Sequence, residues 1–326
     1  MAKILCLTLN PALDLSIRLT SLAPGEVNRA ESTQLAAAGK GVNVARVLVA
    51  LGHQVRVSGF LGADNDAPFR HAFAEMGVDD EFIRLPGETR INAKLAERAG
   101  RVTDINGPGL AIGREAFAAL IECLEAVIDA PATRPDAVVI AGSLPPGVTP
   151  GDLAALVRQL RGQGLPVWVD TSGEALSAAI GACPTAVKPN EHELAEWAGQ
   201  ALVSVAERLA AASRLHASGI EEALVSSGAD GVLWVGPRGS WLATPPRMTV
   251  ASTVGAGDTL VAAMLHGLLE GYDAEQALGF AAALSAESVR HIGVGDPHAE
   301  DFDQLKQQTR VRRLDDADVA EEGAPQ

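Results

Sequence analysis

The stretch S-T-V-G-A-G-D-T-L-V-A-A-M-L, Ser252–Leu265, sets an aspartate after a two-glycine turn, where an apolar helix begins. A carboxylate there has two uses. It can cap the helix by accepting hydrogen bonds from the free amides of the first turn. It can also take a proton from a reacting hydroxyl beside an anion held on those amides. A helix start depresses a carboxylate's pKa, whereas a bound anion raises it, so a base at Asp258 depends more on orientation than on basicity.

Other stretches offer complementary chemistry. Ala37–Gly52, A-A-G-K-G-V-N-V-A-R-V-L-V-A-L-G, is a glycine turn running into a helix whose Val44, Val47, Leu48 and Leu51 form one stripe. Its amides suit an anion or hydroxyls, and Asn43 offers both a donor and an acceptor; Gly39, Gly41 and Asn43 serve equally as turn and cap. In V-K-P-N-E-H-E-L, Asn190 and Glu193 are three apart on a first helical turn. That pair fits a hydrated Mg²⁺ or a capping box. S-S-G-A-D-G, Ser226–Gly231, fits a hairpin or a phosphate cradle.

Several nucleotide and metal motifs are excluded. The Gly39-Lys40 pair is followed by Gly41, so no G-x-x-x-x-G-K-S/T exists, and Val44 holds the third glycine position of a dinucleotide fingerprint. Thr33–Ala38, just before it, reads as a poor strand. No H-E-x-x-H or Cys/His cluster marks a zinc site.

These groups need a scaffold. Lys3–Leu9, Val55–Phe60, Ala137–Ala141, Pro166–Asp170 and Ala223–Ser226 are short apolar runs separated by turn residues and helical periodicity, the order of a β-α-β protein. Glu115–Ala130 carries Phe117, Leu120, Ile121, Leu124, Val127 and Ile128 on one helical stripe, and Thr149-Pro150-Gly151-Asp152 opens the next helix. Asn10, Gly142, Asp170, Lys188 and Ser226 all follow strands, and in an open parallel sheet ligands bind at the carboxyl ends. Leu13–Gln34 and Glu88–Asn106 instead alternate polar and apolar residues. They read as hairpins that pair into one small sheet, a lid over the open end of the main layer.

Composition narrows the class. Across 326 residues, 47% hydrophobic and 4% aromatic, the core must be mainly Ala, Val, Leu and Ile. No repeat of solenoid length occurs. A net charge of −15 disfavours nucleic acid and anionic membranes as partners, while local Lys and Arg still admit a small anionic substrate. Cys6, Cys123 and Cys183 are far apart, which fits a reducing compartment, and no leader or membrane span is evident, so a soluble cytoplasmic protein is expected. The acidic residues 314–326 are expected to be disordered.

Taken together, the glycine-Asn helix, the Asn-x-x-Glu pair and the late G-A-G-D resemble the ribokinase-like sugar kinases of the carbohydrate kinase PfkB family, over roughly Met1–Arg313 as a single domain. The resemblance implies a three-layer α/β/α fold with a central, mostly parallel sheet and a small β-lid from about 12–36 and 88–107, which in several members forms a dimer contact. L-N-P-A-L-D (Leu9–Asp14) and G-S-L-P-P-G (Gly142–Gly147) look like its phosphosugar branch. G-E-V-N-R, A-A-G-K-G-V-N-V-A, G-F-L-G-A-D-N and T-R-I-N-A-K-L are similar to members that use MgATP to phosphorylate D-fructose 1-phosphate at its 6-hydroxyl.

On that resemblance Asp14 and Asn43 bind sugar hydroxyls, with Gly39 and Gly41 letting the backbone approach. Arg90, Lys40, Ser143 and Asn92 are candidates for the substrate's phosphate. Lys188, Asn190, Ser226, Ser227, Gly228, Gly231, Thr253 and Gly257 border ATP, and Asn190 and Glu193 hold magnesium through water. Gly255, Ala256 and Gly257 form an anion hole, and Asp258 is the base. A monovalent cation and a homodimer through the lid are further implications. A kinase of tagatose 6-phosphate or fructose 6-phosphate, and a non-catalytic phosphosugar-binding regulator, are the alternatives.

Overall fold

The computed structural model describes residues 1–314. The chain starts with β1 (Lys3–Thr8), β2 (Ala12–Leu19), β3 (Ser32–Ala38), α1 (Lys40–Ala50) and β4 (Gln54–Gly62). Next come α2 (Ala67–Met76), β5 (Asp79–Leu85), β6 (Ile91–Glu97), β7 (Val102–Ile105), α3 (Arg114–Asp129) and β8 (Ala137–Ala141). The middle holds α4 (Pro150–Gly162), β9 (Val167–Asp170), α5 (Gly173–Ile180), β10 (Ala186–Val187), α6 (Glu191–Ala198) and α7 (Val205–Ala217). Last are β11 (Glu222–Ser226), β12 (Val232–Gly236), β13 (Gly239–Thr244), α8 (Ala256–Leu269), α9 (Ala274–Ser288), α10 (Phe302–Gln308) and β14 (Arg310–Leu314).

Ten strands form the main sheet in the order β14-β13-β12-β11-β10-β9-β8-β1-β4-β5. From β5 to β11 every pairing is parallel, and β12, β13 and β14 extend the sheet antiparallel. The central parallel strands, such as β8, are apolar because helices cover both faces, whereas the edge strand β5 carries Asp79, Asp80, Glu81 and Arg84. Along β1, Ile4 and Cys6 enter the core shared with α1, α8 and α9, whereas Leu5 and Leu7 enter the core shared with α3 and α4. Each such fully buried aliphatic side chain contributes about 1.5–3 kcal/mol. Leu314 ends a paired strand, so the described domain runs one residue past Arg313; the acidic tail expected beyond it lies outside the described residues.

Because the strands from β1 to β11 point the same way, their carboxyl ends share one edge of the sheet. Helix α1 is drawn tightly against that edge. A Cβ at Gly41 would sit 2.3 Å from Thr8 Oγ1 and 2.8 Å from the Leu7 carbonyl oxygen, so close packing on β1 is what requires glycine there. The expectation that this glycine serves ligand approach is replaced by helix–strand contact.

The four remaining strands make a separate sheet in the order β3-β2-β6-β7, with β2 and β6 parallel and the outer pairings antiparallel. Thr33–Ala38, which reads as a poor strand, lies within β3. It is an edge strand with its first five residues exposed, so burial imposes little alternation on it. In this sheet Asp14 pairs with Asn92, and Lys94 with Ser16 and Asp104, which puts all five on one face. Leu15, Leu35, Ala93 and Ile105 align on the other, where Leu35 and Ile105 are exposed. Among the described residues no helix is long and apolar enough to cross a membrane.

Candidate active site

A cavity of about 840 Å³ separates the polar face of the small sheet from the carboxyl edge of the main one. Its floor is the start of α8. Gly255 holds φ 90°, in the left-handed region, and a Cβ there would fall 2.3 Å from the Gly293 carbonyl oxygen, so glycine is required on both counts. The turn then enters α8 with first-turn amides that have no intrahelical acceptor.

Asp258, 4% exposed, lies in that first turn. Its carboxylate does not cap the helix: α8 has no side-chain cap bond, and Asp258 Oδ2 instead accepts a 2.8 Å hydrogen bond from Asn43 Nδ2 on α1. Burial, reinforced by the nearby Asp170 charge, pushes its pKa up to about 6 against the opposing pull of Lys40, Asn43 and Lys188. The depression expected from the helix start is therefore overturned by desolvation.

Beneath the cavity Asp170 ends β9 with no solvent exposure. Its Oδ1 lies 3.0 Å from Lys40 Nζ and 3.4 Å from Lys188 Nζ, and its Oδ2 is buried with no hydrogen-bond partner among the described residues. Burial favours the neutral acid, yet the two ammonium groups outweigh it and hold the Asp170 pKa below the ordinary value. Burial likewise opposes the Lys40 charge, and Asp170 and Asp258 reverse that, raising its pKa. Lys188 also overlies the helix start: a Cβ at Gly257 would lie 3.2 Å from its Nζ. The arrangement sets two ammonium groups and the amides of a helix start around one point, a binding geometry for a multiply charged anion, with the Ala256 amide donating to the Thr253 carbonyl at 3.4 Å.

Asp14, Gly39, Lys40, Asn43, Arg90, Asn92, Lys188, Asn190, Ser226, Gly228, Gly231, Thr253, Gly255, Ala256, Gly257 and Asp258 all line the cavity. Four candidates do not. Gly41 packs on β1; Ser143 is exposed, with its Oγ 3.2 Å from Asn10 Nδ2. Ser227 is buried inside the turn after β11, its amide bonded to the Gly231 carbonyl. Glu193 Oε2 accepts from the Asn190 amide at 2.8 Å while Asn190 Oδ1 accepts from the His192 and Glu193 amides, a complete capping box. These hard oxygen donors fit a hydrated magnesium ion only through their remaining lone pairs, hence through water. Arg90 lines the cavity, but three of its N–H groups donate to the carbonyls of Asn10, Pro11 and Gly107.

Three further residues escape sequence reasoning. Lys94 and Asp104 share the cavity face with Asn92, a period-two signal visible in I-N-A-K-L. Arg247 enters from the segment after β13, for which no local signal exists. Elsewhere His53, His266 and Glu270 converge, a grouping no motif announces. His53 Nε2 and His266 Nδ1 are 2.8 Å apart, and the Ala2 amide donates to His53 Nδ1, so the pair is satisfied as two neutral, hydrogen-bonded rings.

Comparison with known proteins agrees with this geometry. The pfkB family carbohydrate kinase pattern matches residues 6–301. A Vibrio cholerae protein named 1-phosphofructokinase is 45% identical over 96% of this chain and 97% of its own length. An Escherichia coli protein of the same name is 41% identical over 90% of this chain and 93% of its own. The crystal structure of phosphofructokinase-2 from Escherichia coli in complex with fructose-6-phosphate superposes with a TM-score of 0.84 at 28% identity, covering 94% of this chain and 99% of that one. Fold and sequence thus agree that the chain belongs to the pfkB family of carbohydrate kinases.

Proposed function

We infer that the chain transfers the γ-phosphoryl group of ATP to the 6-hydroxyl of D-fructose 1-phosphate, giving fructose 1,6-bisphosphate and ADP. The observation that carries the chemistry is the buried Asp258, its pKa raised to about 6, beside the amides of α8 and the Lys40–Asp170–Lys188 cluster. The choice of sugar rests on the named relatives.

Phosphoryl transfer runs through a loose transition state, so positioning and anion stabilisation matter most. The amides of Gly255, Ala256 and Gly257 and the Lys188 ammonium face the charge that develops on the transferring group. Asn43 turns the Asp258 carboxylate toward the cavity, where it accepts the proton of the attacking hydroxyl as that oxygen bonds phosphorus. Asn190 and Glu193 would hold magnesium through water, and the ion would neutralise phosphate charge. The glycine-rich turn from Ser226 to Gly231 borders the nucleotide. The polar face of the small sheet covers the sugar and excludes the water that would otherwise take the phosphoryl group.

The outer face of that sheet supplies a dimer contact. Leu35, Ile91 and Ile105 are 45%, 46% and 58% exposed, an apolar patch that a second copy would cover. Wild type should sediment as a dimer at micromolar concentration and Leu35→Asp/Ile105→Asp as a monomer; a monomeric wild type would refute the contact.

Parallel assays of fructose 1-phosphate, tagatose 6-phosphate and fructose 6-phosphate with MgATP should rank fructose 1-phosphate first by kcat/KM. A preference for fructose 6-phosphate overturns the specificity, and binding without ADP formation leaves a regulator.

In Asp258→Asn, kcat should fall by roughly 10²–10⁴ while substrate binding persists. Wild-type kcat/KM should decline as pH drops through about 6, where Asp258 of the free enzyme takes up its proton. Since its folded pKa exceeds the unfolded value, Asp258 favours the fold below the unfolded pKa and loses that contribution as pH rises through 6. Asp258→Asn should therefore melt no lower than wild type at pH 8. Near-normal turnover in this variant removes the base.

A further inference from the structure

Lys94 falls within T-R-I-N-A-K-L but is given no role there, and it occupies the centre of the small sheet's cavity face. Its Nζ lies 2.5 Å from Asp14 Oδ2, and Asn92 Nδ2 lies 3.2 Å from Asp14 Oδ1, so both carboxylate oxygens are held. The Lys94 and Asp14 side chains are 20% and 18% exposed, facing the cavity rather than bulk water. Asp104 stands directly opposite Lys94 in the register. Without the ammonium, the lid face would present two carboxylates to an anionic substrate.

The other cations around the cavity are placed differently, Arg247 being exposed on the segment after β13, away from the small sheet's polar row. Lys40 and Lys188 are anchored on the floor by Asp170, close to Asp258. Arg90 is tied to two carbonyls at the exit of β1 and to that of Gly107 after β7. Among the described residues Lys94 is tied only to Asp14, itself expected to bind a sugar hydroxyl. Because the acceptor hydroxyl must meet Asp258 on the floor, the phosphate at the opposite end of the sugar is turned away from the floor lysines.

Building on the proposed function, we propose that Lys94 and Asp14 act as one specificity unit, the ammonium holding the substrate's phosphate and the carboxylate accepting the hydroxyl beside it. Fructose 1-phosphate carries these groups on adjacent carbons: the phosphate on C1 and, in the ring form, the anomeric hydroxyl on C2. In the 6-phosphates the neighbouring carbon, C5, carries the ring oxygen and no hydroxyl. The pair would then leave Asp14 without its donor, and an unmet polar group in a closed site is what discriminates most strongly between analogues.

The test is steady-state kinetics of wild type, Lys94→Met and Lys94→Arg on fructose 1-phosphate and fructose 6-phosphate, with KM for ATP and melting temperature measured alongside. Lys94→Met should lose about 10–100-fold in kcat/KM for fructose 1-phosphate, mainly through KM. It should keep its KM for ATP and narrow the ratio between the two sugars, and Lys94→Arg should recover part of the loss. A fructose 1-phosphate KM within twofold of wild type in Lys94→Met overturns the proposal alone. So does an equal loss on both sugars accompanied by a raised KM for ATP, the signature of a merely structural ion pair. A wild type that prefers fructose 6-phosphate overturns both this proposal and the reading on which it rests.

Discussion

A carboxylate with no access to water must be paired, and Asp170 is paired twice. Removing one partner of such a buried cluster leaves an uncompensated charge, which makes the arrangement stringent. The constraint ties together the end of β9, the first residue of α1 and the residue after β10. The two lysines are thereby fixed on the cavity floor, where an anion arriving from solvent meets them already oriented. The same buried charge, added to desolvation, raises the pKa of Asp258. One interaction thus sets the cationic floor and, second to burial, adds to the basicity of the group beside it.

The small sheet is built on the opposite logic. Its strands alternate, so each carries a polar row toward the cavity and an apolar row away from it. Asp14, Asn92 and Lys94 can face the ligand only because Leu15, Ala93 and Leu95 face outward. An apolar outer face and a polar inner face are therefore a single sequence decision. Arg90 pins this sheet to the exit of β1 through backbone carbonyls, so the small sheet and the main sheet meet at a fixed corner.

The parallel core is legible in the sequence because burial on both faces leaves unbroken apolar runs: Ala137–Ala141 is read to the residue. β3 is less legible because an edge strand with five exposed residues has little pattern to display. At the site, Asp258, Asn43 and Lys188 are marked by local motifs, since each follows a glycine turn or a strand end. Asp170 is visible as a strand end, but its charge partner Lys40 lies 130 residues away, and no local pattern encodes that meeting. The direction of the Asp258 shift is hidden for a related reason. A helix start is a local feature, whereas the desolvation that outweighs it depends on everything folded above it. Gly41 looks like part of a ligand loop, and only its distance to Thr8 shows that α1 could not otherwise approach β1.

The central claim is that Asp170 holds both lysines and, together with burial, raises the proton affinity of Asp258. The direct measurement is the pH dependence of kcat/KM in Asp170→Asn. Removing that negative charge leaves burial opposed by lysines whose nearest carboxylate has gone, so the acid limb near pH 6 should move down by at least about half a unit. The plateau should also fall, since Lys40 and Lys188 lose their anchor. An acid limb that stays in place or moves to higher pH would contradict the account.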